Sequence, residues 1–413
     1  MIFPKVWHAH YVKIISGYAL GFLIPVWIHY GGSNLLSILV EVIIHHYLPF
    51  ILLIGALYIT AGGIQIIIKA HASALINTLV LSLATFVAGW IGTTGAAMLF
   101  IRPFLNLNRT RRHRQHLMIF FILLVCNIGG GLTPLGDPPL FLGYLEGIEF
   151  SWPLRYMALP MLTLAVPLLI VFYIWDRMRQ EDQPIDKKIT FDVKGFQNFF
   201  YLMVIIDLVL LSGTWKSGTG IHIYGHLWSL ENIVRDLGLL LVSYLSYFKT
   251  DASPRHANHF HWAPLKEVAV LFAAIFITAY PVLEMLKSPA PSVFTPWLIL
   301  LNHADGTPSS ALYFWATGLL SSFLDNAPTY LVFFNMAGGD PGQMMGPLQN
   351  VLLAISAGSV FMGALTYIGN APNFMVKAIA ESDNIEMPSF FGYAGRAALL
   401  LLPLLGIMTI LFF

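Results

Sequence analysis

The stretch NIGGGLTPLGDPPLFLGY, residues 127–144, lies within a long apolar run at 113–145 but cannot form an uninterrupted helix. Pro139 has no backbone N–H to donate, and Gly136 weakens the turn before it. Broken helices occur at membrane depth only where they line a cavity, and there the half-helix ends and freed carbonyls bind ions or substrates. The stretch therefore predicts a binding site inside a membrane.

The composition of the whole chain supports a membrane location. Of the 413 residues, 57% are hydrophobic and only 10% are charged, whereas soluble domains carry about 25% charged residues. A spanning helix needs about 20 apolar residues, so the chain has room for about ten spans and no sizeable soluble domain. The net charge of +1 provides no basic surface for nucleic acid, and the single cysteine, Cys126, excludes an intramolecular disulfide.

The apolar runs locate the expected spans at 11–30, 34–48, 50–69, 113–145, 153–175, 196–214, 227–248, 266–286, 347–376 and 389–413, and the region 34–69 also permits a different division. Two further apolar segments, 74–107 and 308–337, are interrupted halfway by the polar tips GTTGAA (92–97) and LDNAPT (324–329). Each half is about 15 residues, which is short for a crossing. Each segment is therefore predicted to be a re-entrant hairpin with its tip near the midplane.

Basic residues predict the orientation of the spans. The segments NRTRRHR (108–114) and DRMRQEDQPIDKK (176–188) are rich in arginine and lysine, so both are expected on the cytoplasmic side. Counting the spans outward from these segments places both termini on the non-cytoplasmic side. Lys5 and Lys13 favour the opposite side for the N-terminus.

An internal repeat relates the two halves of the chain. LTPLGDPP at 132–139 aligns with LTYIGNAP at 365–372, which places Asp137 on Asn370. We call the spacing between these two motifs the repeat offset. The same offset places the first hairpin tip on DNAPTY, at the second tip. Two features that share one offset predict an inverted repeat.

The predicted fold is an all-α polytopic membrane protein with about ten transmembrane helices and two re-entrant hairpins, in an inverted repeat with broken helices. The first half, 1–190, contains hairpin 74–107 and broken helix 113–145; the second, 191–413, contains hairpin 308–337 and broken helix 347–376.

Two acids fall at the predicted site, Asp137 on the first break and Asp325 on the second hairpin tip. Intramembrane carboxylates are costly and are usually functional, and oxygen ligands of this kind suit a hard cation or a proton. The predicted ion-binding residues are Asp137, Asp325, Asn326, Asn370, Thr93, Thr94, Thr133, Thr329, Thr366, Gly136 and Gly369. The alternative for each acid is a helix cap, and for each threonine a bond to a carbonyl one turn back.

Other polar residues in apolar runs are weaker signals. Glu41 and His45 are four residues apart and share a helix face, which fits a proton relay or an interfacial pair. Asp207 lies deep in the run 196–214 and fits either a relay or packing against a polar neighbour. RHANHFHW at 255–262 contains three histidines but lies in a loop, so a metal site is not favoured. No phosphate-binding loop with a lysine and no nucleophile–base pattern is present, so neither an ATP-driven pump nor an enzyme is predicted.

The segments GTTGAA, NIGGGLTPLGDPP, FLDNAPTYLVF and GNAPNFMVKAIAE resemble the ion transporter superfamily over about residues 92–382. That group includes bacterial sodium/proton antiporters, arsenite efflux permeases, the melanosomal P protein, and sodium-coupled citrate and dicarboxylate carriers. The resemblance implies a homodimer in the bacterial inner membrane, each protomer having a scaffold domain and a transport domain that work by alternating access. Carboxylate carriers have Ser-Asn-Thr at both hairpin tips. This chain departs from that pattern and is more similar to the antiporters, through Gly-Asp at the first break and Asp-Asn at the second tip.

We therefore expect a secondary active transporter, a Na⁺/H⁺ antiporter in which both ions compete for Asp137 and Asp325. Two buried acids repel a di- or trianion but suit a cation that competes with protons. Its expected partners are Na⁺, H⁺ and the lipid bilayer, with no cofactor. The main alternative is a sodium-coupled citrate or dicarboxylate symporter, in which hairpin-tip N–H groups hold the anion. An uncoupled channel and an arsenite carrier are further alternatives.

Overall fold

The structure, a computed structural model, describes residues 4–180, 190–287, 295–303 and 305–413. The helices of the first half are α1 Pro4–Tyr30, α2 Gly32–Glu41, α3 Leu48–Gly62, α4 Ala74–Ile91, α5 Thr93–Leu107, α6 Gln115–Leu124, α7 Pro138–Leu145, α8 Trp152–Tyr156 and α9 Ala158–Met178. Those of the second half are α10 Gln197–Thr214, α11 Leu230–Lys249, α12 Ala252–Ala257, α13 Ala263–Lys287, α14 Thr295–Leu301, α15 Ser310–Phe323, α16 Asn326–Met336, α17 Pro341–Met345, α18 Gln349–Met362, α19 Ala371–Ser382 and α20 Phe390–Phe412.

Seven helices within the described ranges are long and apolar enough to cross a membrane, and two shorter apolar helices accompany them. The seven are His10–His29, Gly32–Gly62, Ala74–Ile91, Ala158–Met178, Gln197–Thr214, Ala263–Leu286 and Phe390–Phe412; the shorter two are Gln115–Gly131 and Gln349–Leu365. The prediction of an all-α polytopic membrane protein is confirmed.

The difference from about ten expected spans has identifiable causes. Each of the two broken runs supplies one of the two shorter helices, because the break interrupts the helix before it is long enough to span. The run 227–248 forms α11, but this helix carries Glu231, Arg235 and Asp236 and is too polar to count among the seven.

The runs 34–48 and 50–69, expected as separate spans, are one helix from Gly32 to Gly62. A π-helical segment, Val42–Tyr47, joins α2 to α3, and Pro49 lies in the first turn of α3 directly after it. A π-helical turn interrupts the usual backbone pairing, so it accommodates a proline that has no N–H to donate. The helix therefore continues through Pro49.

Merging these two runs changes the predicted side of the N-terminus. With one span fewer before the basic segment 108–114, and the first hairpin counted as re-entrant, the positive-inside argument places the N-terminus in the cytoplasm. The side on which the N-terminus lies stays a prediction, and Lys5 and Lys13 favour the cytoplasm. Residues 181–189 of the second basic segment lie outside the described residues.

The last residues of the run 50–69 are not helical but form strand β1, Gln65–Lys69. This strand pairs antiparallel with β2, Thr190–Lys194, so that Gln65 lies opposite Lys194. A second antiparallel pair, β3 Gly220–Ile223 and β4 His226–Ser229, joins α10 to α11. The β1–β2 sheet fastens the loop after α3 to the segment before α10.

Each predicted hairpin is a pair of helices with a short connection at its tip. Gly92, with φ +83°, connects α4 to α5, and Leu324 and Asp325 connect α15 to α16. α15 and α16 contain 14 and 11 residues, well short of the roughly 20 needed to cross. α4 contains 18 residues, more than expected. The re-entrant path through the membrane stays a prediction.

The helix starts follow the repeat offset. α5 begins at Thr93 and α16 at Asn326, while α7 begins at Pro138 and α19 at Ala371. The pairs α6/α18 and α9/α20 begin within one residue of the same spacing. This agreement supports the internal repeat, and its inversion across the membrane stays a prediction.

A buried ionic cluster connects the base of the first hairpin to its neighbours. The Asp176 carboxylate on α9 accepts hydrogen bonds from Arg111 Nη2 at 2.7 Å, His116 Nε2 at 2.9 Å and Asn77 Nδ2 at 2.9 Å. All four side chains are buried. The cluster therefore holds α4, α6 and α9 together by paired charges, as burial of charge requires.

Candidate functional site

The first break separates α6 from α7. After α6 ends at Leu124, a 3₁₀ turn covers Ile128–Gly131, and α7 starts only at Pro138. Pro138 and Pro139 occupy the first turn of α7, where proline fits because those N–H groups have no helical partner. The chain thus leaves helical geometry where the prolines and glycines predicted.

The second break has the same construction. α18 ends at Met362, a 3₁₀ turn covers Gly363–Leu365, and α19 starts at Ala371. Gly369 packs against the carbonyl of Gly363, and in the first break Gly136 packs against the carbonyl of Gly130. A Cβ atom at either position would collide with backbone, so these two predicted site glycines are explained by close packing.

Asp137 lies at the centre of the predicted site. Its side chain is 2% exposed. The carboxylate accepts hydrogen bonds from Thr93 Oγ1 at 2.9 Å, Asn370 Nδ2 at 3.0 Å and Asn326 Nδ2. All three donors belong to the set predicted from sequence, and all three are buried.

The four residues of this cluster form two pairs related by the repeat offset. Asp137 and Asn370 are 233 residues apart, as are Thr93 and Asn326. Two helix starts at the hairpin tips and two at the breaks therefore meet around one carboxylate. The cluster has the arrangement that a site on a pseudo-two-fold axis would have.

The two acids differ in whether their side chains cap a helix. Asp137 is the N-cap residue of α7, but its side chain makes no capping hydrogen bond. Asp325 does cap α16, because its carboxylate accepts from Ala327 N at 3.1 Å. Capping thus explains part of the presence of Asp325 and does not explain the carboxylate of Asp137.

Three of the predicted threonines make backbone bonds instead of facing the carboxylate. Thr133 Oγ1 donates to the carbonyl of Gly89, and Thr366 Oγ1 donates to the carbonyl of Ser322. These two bonds attach each break to the first limb of a hairpin. Thr329 Oγ1 donates to the carbonyl of Asp325, one turn back, at 3.0 Å.

Two small cavities adjoin the cluster. The first, of about 40 Å³, includes Thr93, Thr94 and Asp137 in its lining. The second, of about 60 Å³, includes Thr94, Asp325 and Asn370. Tyr58 and Pro138 line both, so each acid faces a space that can hold a few water molecules or a small ion.

The starts of the half-helices provide few N–H groups for an anion. α7 begins with Pro138 and Pro139, which have none. Pro328 and Pro372 likewise lie in the first turns of α16 and α19. Anion sites at helix starts depend on such N–H groups, so these three helix starts offer fewer of them to an anion.

The residues proposed as a proton relay lie elsewhere. Glu41 accepts a hydrogen bond from Tyr280 of α13 at 3.0 Å. The His45 ring lies 6.3 Å from that of His226, on the strand pair between α10 and α11. Asp207 is exposed on an outward stripe of α10 with Met203 and Leu211. None of the three predicted relay residues lines either cavity.

The loop histidines show no metal-binding arrangement. No group of three or more His, Cys, Asp or Glu side chains placed to hold a metal ion occurs in the described parts of the chain. His261 instead uses its backbone carbonyl to accept the Tyr58 hydroxyl at 3.0 Å.

Two buried residues at the site were not predicted. Asn127 and Asn373 are fully buried, and Asn127 Nδ2 donates to Asn373 Oδ1 at 2.8 Å. The sequence contains a signal for both, because Asn127 opens the NIGGG motif and Asn373 follows GNAP. Neither has a polar counterpart at the repeat offset, where Val360 and Leu140 stand, so the repeat comparison passed over them.

A buried carboxylate that collects polar groups from two breaks and two hairpins of a polytopic membrane protein is typical of a membrane transporter. A family model described as "Putative citrate transport" matches residues 1–413. The chain belongs to this citrate-transport family, and it is an integral membrane protein. No curated protein matches the chain.

Proposed function

We propose that this protein is a secondary active transporter that exchanges Na⁺ for H⁺, with the two ions competing for Asp137. The observation that carries the proposal is the buried Asp137 carboxylate, whose three hydrogen-bond donors are all uncharged. Within the described ranges no lysine or arginine forms an ion pair with it, so a cation or a proton is the remaining source of positive charge.

Asn326 and Asn370 can stabilise either the ionised Asp137 carboxylate or a bound cation. With their nitrogens toward Asp137, Asn326 and Asn370 stabilise an ionised carboxylate. A side-chain amide also carries an oxygen, so rotation about its last bond would replace a donor by a ligand for a hard cation. Asn326 Oδ1 is buried and has no hydrogen-bond partner among the described residues, which fits this role.

Asp325 supplies the second negative charge. It is the residue before Asn326, and it lines the cavity that also contains Asn370 and Thr94. A Na⁺ near both carboxylates would gain from each, and protonation of either would weaken its binding. Competition of this kind couples the two ion flows in opposite directions, with the broken helices and hairpins moving as the transport domain of a bacterial inner-membrane protein.

A sodium-coupled citrate symporter is the second candidate, because the family's description names citrate. In that case Asp137 and Asp325 would hold Na⁺, and the anion would need a cationic or N–H-rich partner. The prolines in the first turns of α7, α16 and α19 reduce the N–H groups available. The geometry therefore favours the antiporter.

The test uses purified protein in proteoliposomes with an internal pH dye. Addition of external Na⁺ should drive protons out, and Asp137→Asn should abolish the response. Asp340→Asn is the matched control, since Asp340 also caps a helix, α17, through Gln343 N at 2.7 Å but lies outside the cluster. It should exchange ions like the wild type.

Citrate and succinate distinguish the two candidates. Proton movement on Na⁺ alone supports exchange. A wild-type protein that ignores Na⁺ alone, but takes up a labelled carboxylate in a Na⁺-dependent manner, would replace the antiporter by the symporter. Wild-type exchange by Asp137→Asn would eliminate competition at this carboxylate.

A further inference from the structure

Two consecutive residues of the first break are bound to the second break by side-chain amides. The carbonyl of Cys126 accepts from Asn370 Nδ2 at 2.9 Å, and Asn127 Nδ2 donates to Asn373 Oδ1 at 2.8 Å. The four residues are buried, with Asn127 and Asn373 at 0% exposure. We call the Asn127–Asn373 contact the clasp.

The clasp also satisfies backbone groups that the breaks set free. Asn373 Nδ2 donates to the carbonyls of Gly363 and Thr366, both at 2.9 Å, which lie at the start and in the middle of the second break. Asn127 Nδ2 donates in addition to the carbonyl of Ile122 at 2.8 Å. Buried carbonyls need such partners, and here two amides supply them across both breaks.

The clasp has no polar equivalent on the other side of the cluster. At the repeat offset, Asn127 corresponds to Val360 and Asn373 to Leu140, both of them apolar and buried. Asn373 thus bonds the Gly363 and Thr366 carbonyls of the second break, whereas Leu140, at the equivalent position of the first, has no side-chain donor. The second break is the one that carries Asn370, the partner of Asp137.

We propose that Asn127 and Asn373 are positioning residues, which fix the second break so that the Asn370 amide faces Asp137. The clasp and the Asn370 bond to the Cys126 carbonyl together attach the start of α19 to the first break. The effect that we expect on Na⁺ binding rests on the proposed Na⁺ site, whereas the effect that we expect on the local structure of the breaks does not.

The test replaces Asn127 and Asn373 by the residue types found at the equivalent positions of the repeat, those of Val360 and Leu140. In Asn127→Val/Asn373→Leu neither amide is left facing an apolar partner, although the carbonyls of Ile122, Gly363 and Thr366 lose their side-chain donors. Cys126 reports on the region, because it is the only cysteine, is fully buried, and adjoins Asn127. Its labelling by a small maleimide in proteoliposomes measures opening of the breaks without any transport.

The expected result is a folded variant in which Cys126 is labelled at least about tenfold faster and the Na⁺ concentration for half-maximal exchange rises about tenfold or more. Maximal exchange should fall less than this affinity. Asn335→Leu is the control, because Asn335 is buried and donates only to the Leu331 carbonyl of its own helix at 2.9 Å. It should change neither quantity.

Wild-type labelling and wild-type half-saturation in the folded double variant would overturn the proposal. If the wild type performs no Na⁺-driven exchange, the proposed function fails, and the labelling rates alone decide whether the clasp holds the breaks. If the double variant does not fold, Asn127→Val decides by the same readouts. It removes the amide that donates to Asn373 Oδ1 and leaves the Asn373 donors to Gly363 and Thr366 in place, so unchanged labelling and half-saturation there also overturn the proposal.

Discussion

Asn370 Nδ2 donates a hydrogen bond of 3.0 Å to Asp137 Oδ1, although the two residues are 233 positions apart in the chain. Each is the residue directly before the second half of a broken helix. The repeat therefore places the acid on the first break and, at the equivalent position of the second break, the amide that binds it. Because Thr93 and Asn326 complete the cluster at the same offset, the surroundings of the pair are nearly symmetric.

This relationship predicts that Asn370→Asp impairs exchange and that Asp137→Asn/Asn370→Asp partly restores it. The single variant places two carboxylates in direct contact, where like charges repel. The double variant again has one acid and one amide, exchanged between the two breaks. We expect a loss of about tenfold or more in the single variant and a faster rate in the double, measured as Na⁺-driven proton efflux.

An exchange rate in the double variant no better than that of Asn370→Asp would show that the acid must be on the first break. Protein content and thermal unfolding of each variant in detergent serve as controls for folding.

Asp325 both caps α16 and carries a negative charge, and two substitutions separate these two roles. Asparagine is as good an N-cap as aspartate, whereas alanine costs about 1 kcal/mol. Asp325→Asn should therefore unfold at the wild-type temperature but lose Na⁺-driven exchange, and Asp325→Ala should lose both stability and exchange. Wild-type exchange by the asparagine variant would leave Asp325 with a capping role alone.

The sequence predicted the positions of both breaks and both tips because proline and glycine act locally and their effect is visible in a few letters. It also predicted that Thr93, Asn326 and Asn370 gather with Asp137, because the repeat offset carries long-range information. The division of the run 34–69 was not predictable, since a π-helical turn leaves no mark in an apolar run.

The roles of individual polar side chains were harder to predict from the sequence. Thr133 and Thr366 share the motif with Asp137 but bond to backbone, and which acceptor a hydroxyl selects depends on packing that the motif does not encode. Asn127 and Asn373 contact each other across 246 residues, and only the folded chain brings them together.

The threonine bonds provide a test of the repeat itself. Thr133 and Thr366 each donate to the first limb of a hairpin and accept from an N–H two residues on, at 3.1 and 3.2 Å. Valine at either position keeps the shape and leaves those backbone groups without the hydroxyl, at a cost of about 1–3 kcal/mol. The two losses in the free energy of unfolding should be similar. A neutral change at one position with a large one at the other would contradict equivalent geometry.

The cluster around Asp176 should control stability more than transport. Arg111 and Asp176 have side chains that are 1% and 0% exposed, and removing one member of a buried pair typically costs about 3–5 kcal/mol. Arg111→Met and Asp176→Leu should each approach this value, and the double variant should lose clearly less than the sum. Additive losses would mean that the pair interacts weakly. The folded fraction of each variant should keep the wild-type Na⁺ half-saturation.

Asp207 provides a test of the homodimer that the family resemblance implies. It lies near the middle of α10 and is exposed between Met203 and Leu211, which are 56% and 43% exposed. A carboxylate that faces hydrocarbon costs at least about 2.5–3.5 kcal/mol on insertion scales, and a second protomer covering this stripe would remove that contact with lipid.

Near a two-fold axis a residue approaches its own copy. Asp207→Cys should therefore form a disulfide-linked dimer under mild oxidation in membranes. Ile170→Cys, on the exposed face of α9, should remain monomeric in the same assay. Equal cross-linking at both positions, or none at Asp207, would place the interface elsewhere and leave the acid facing lipid.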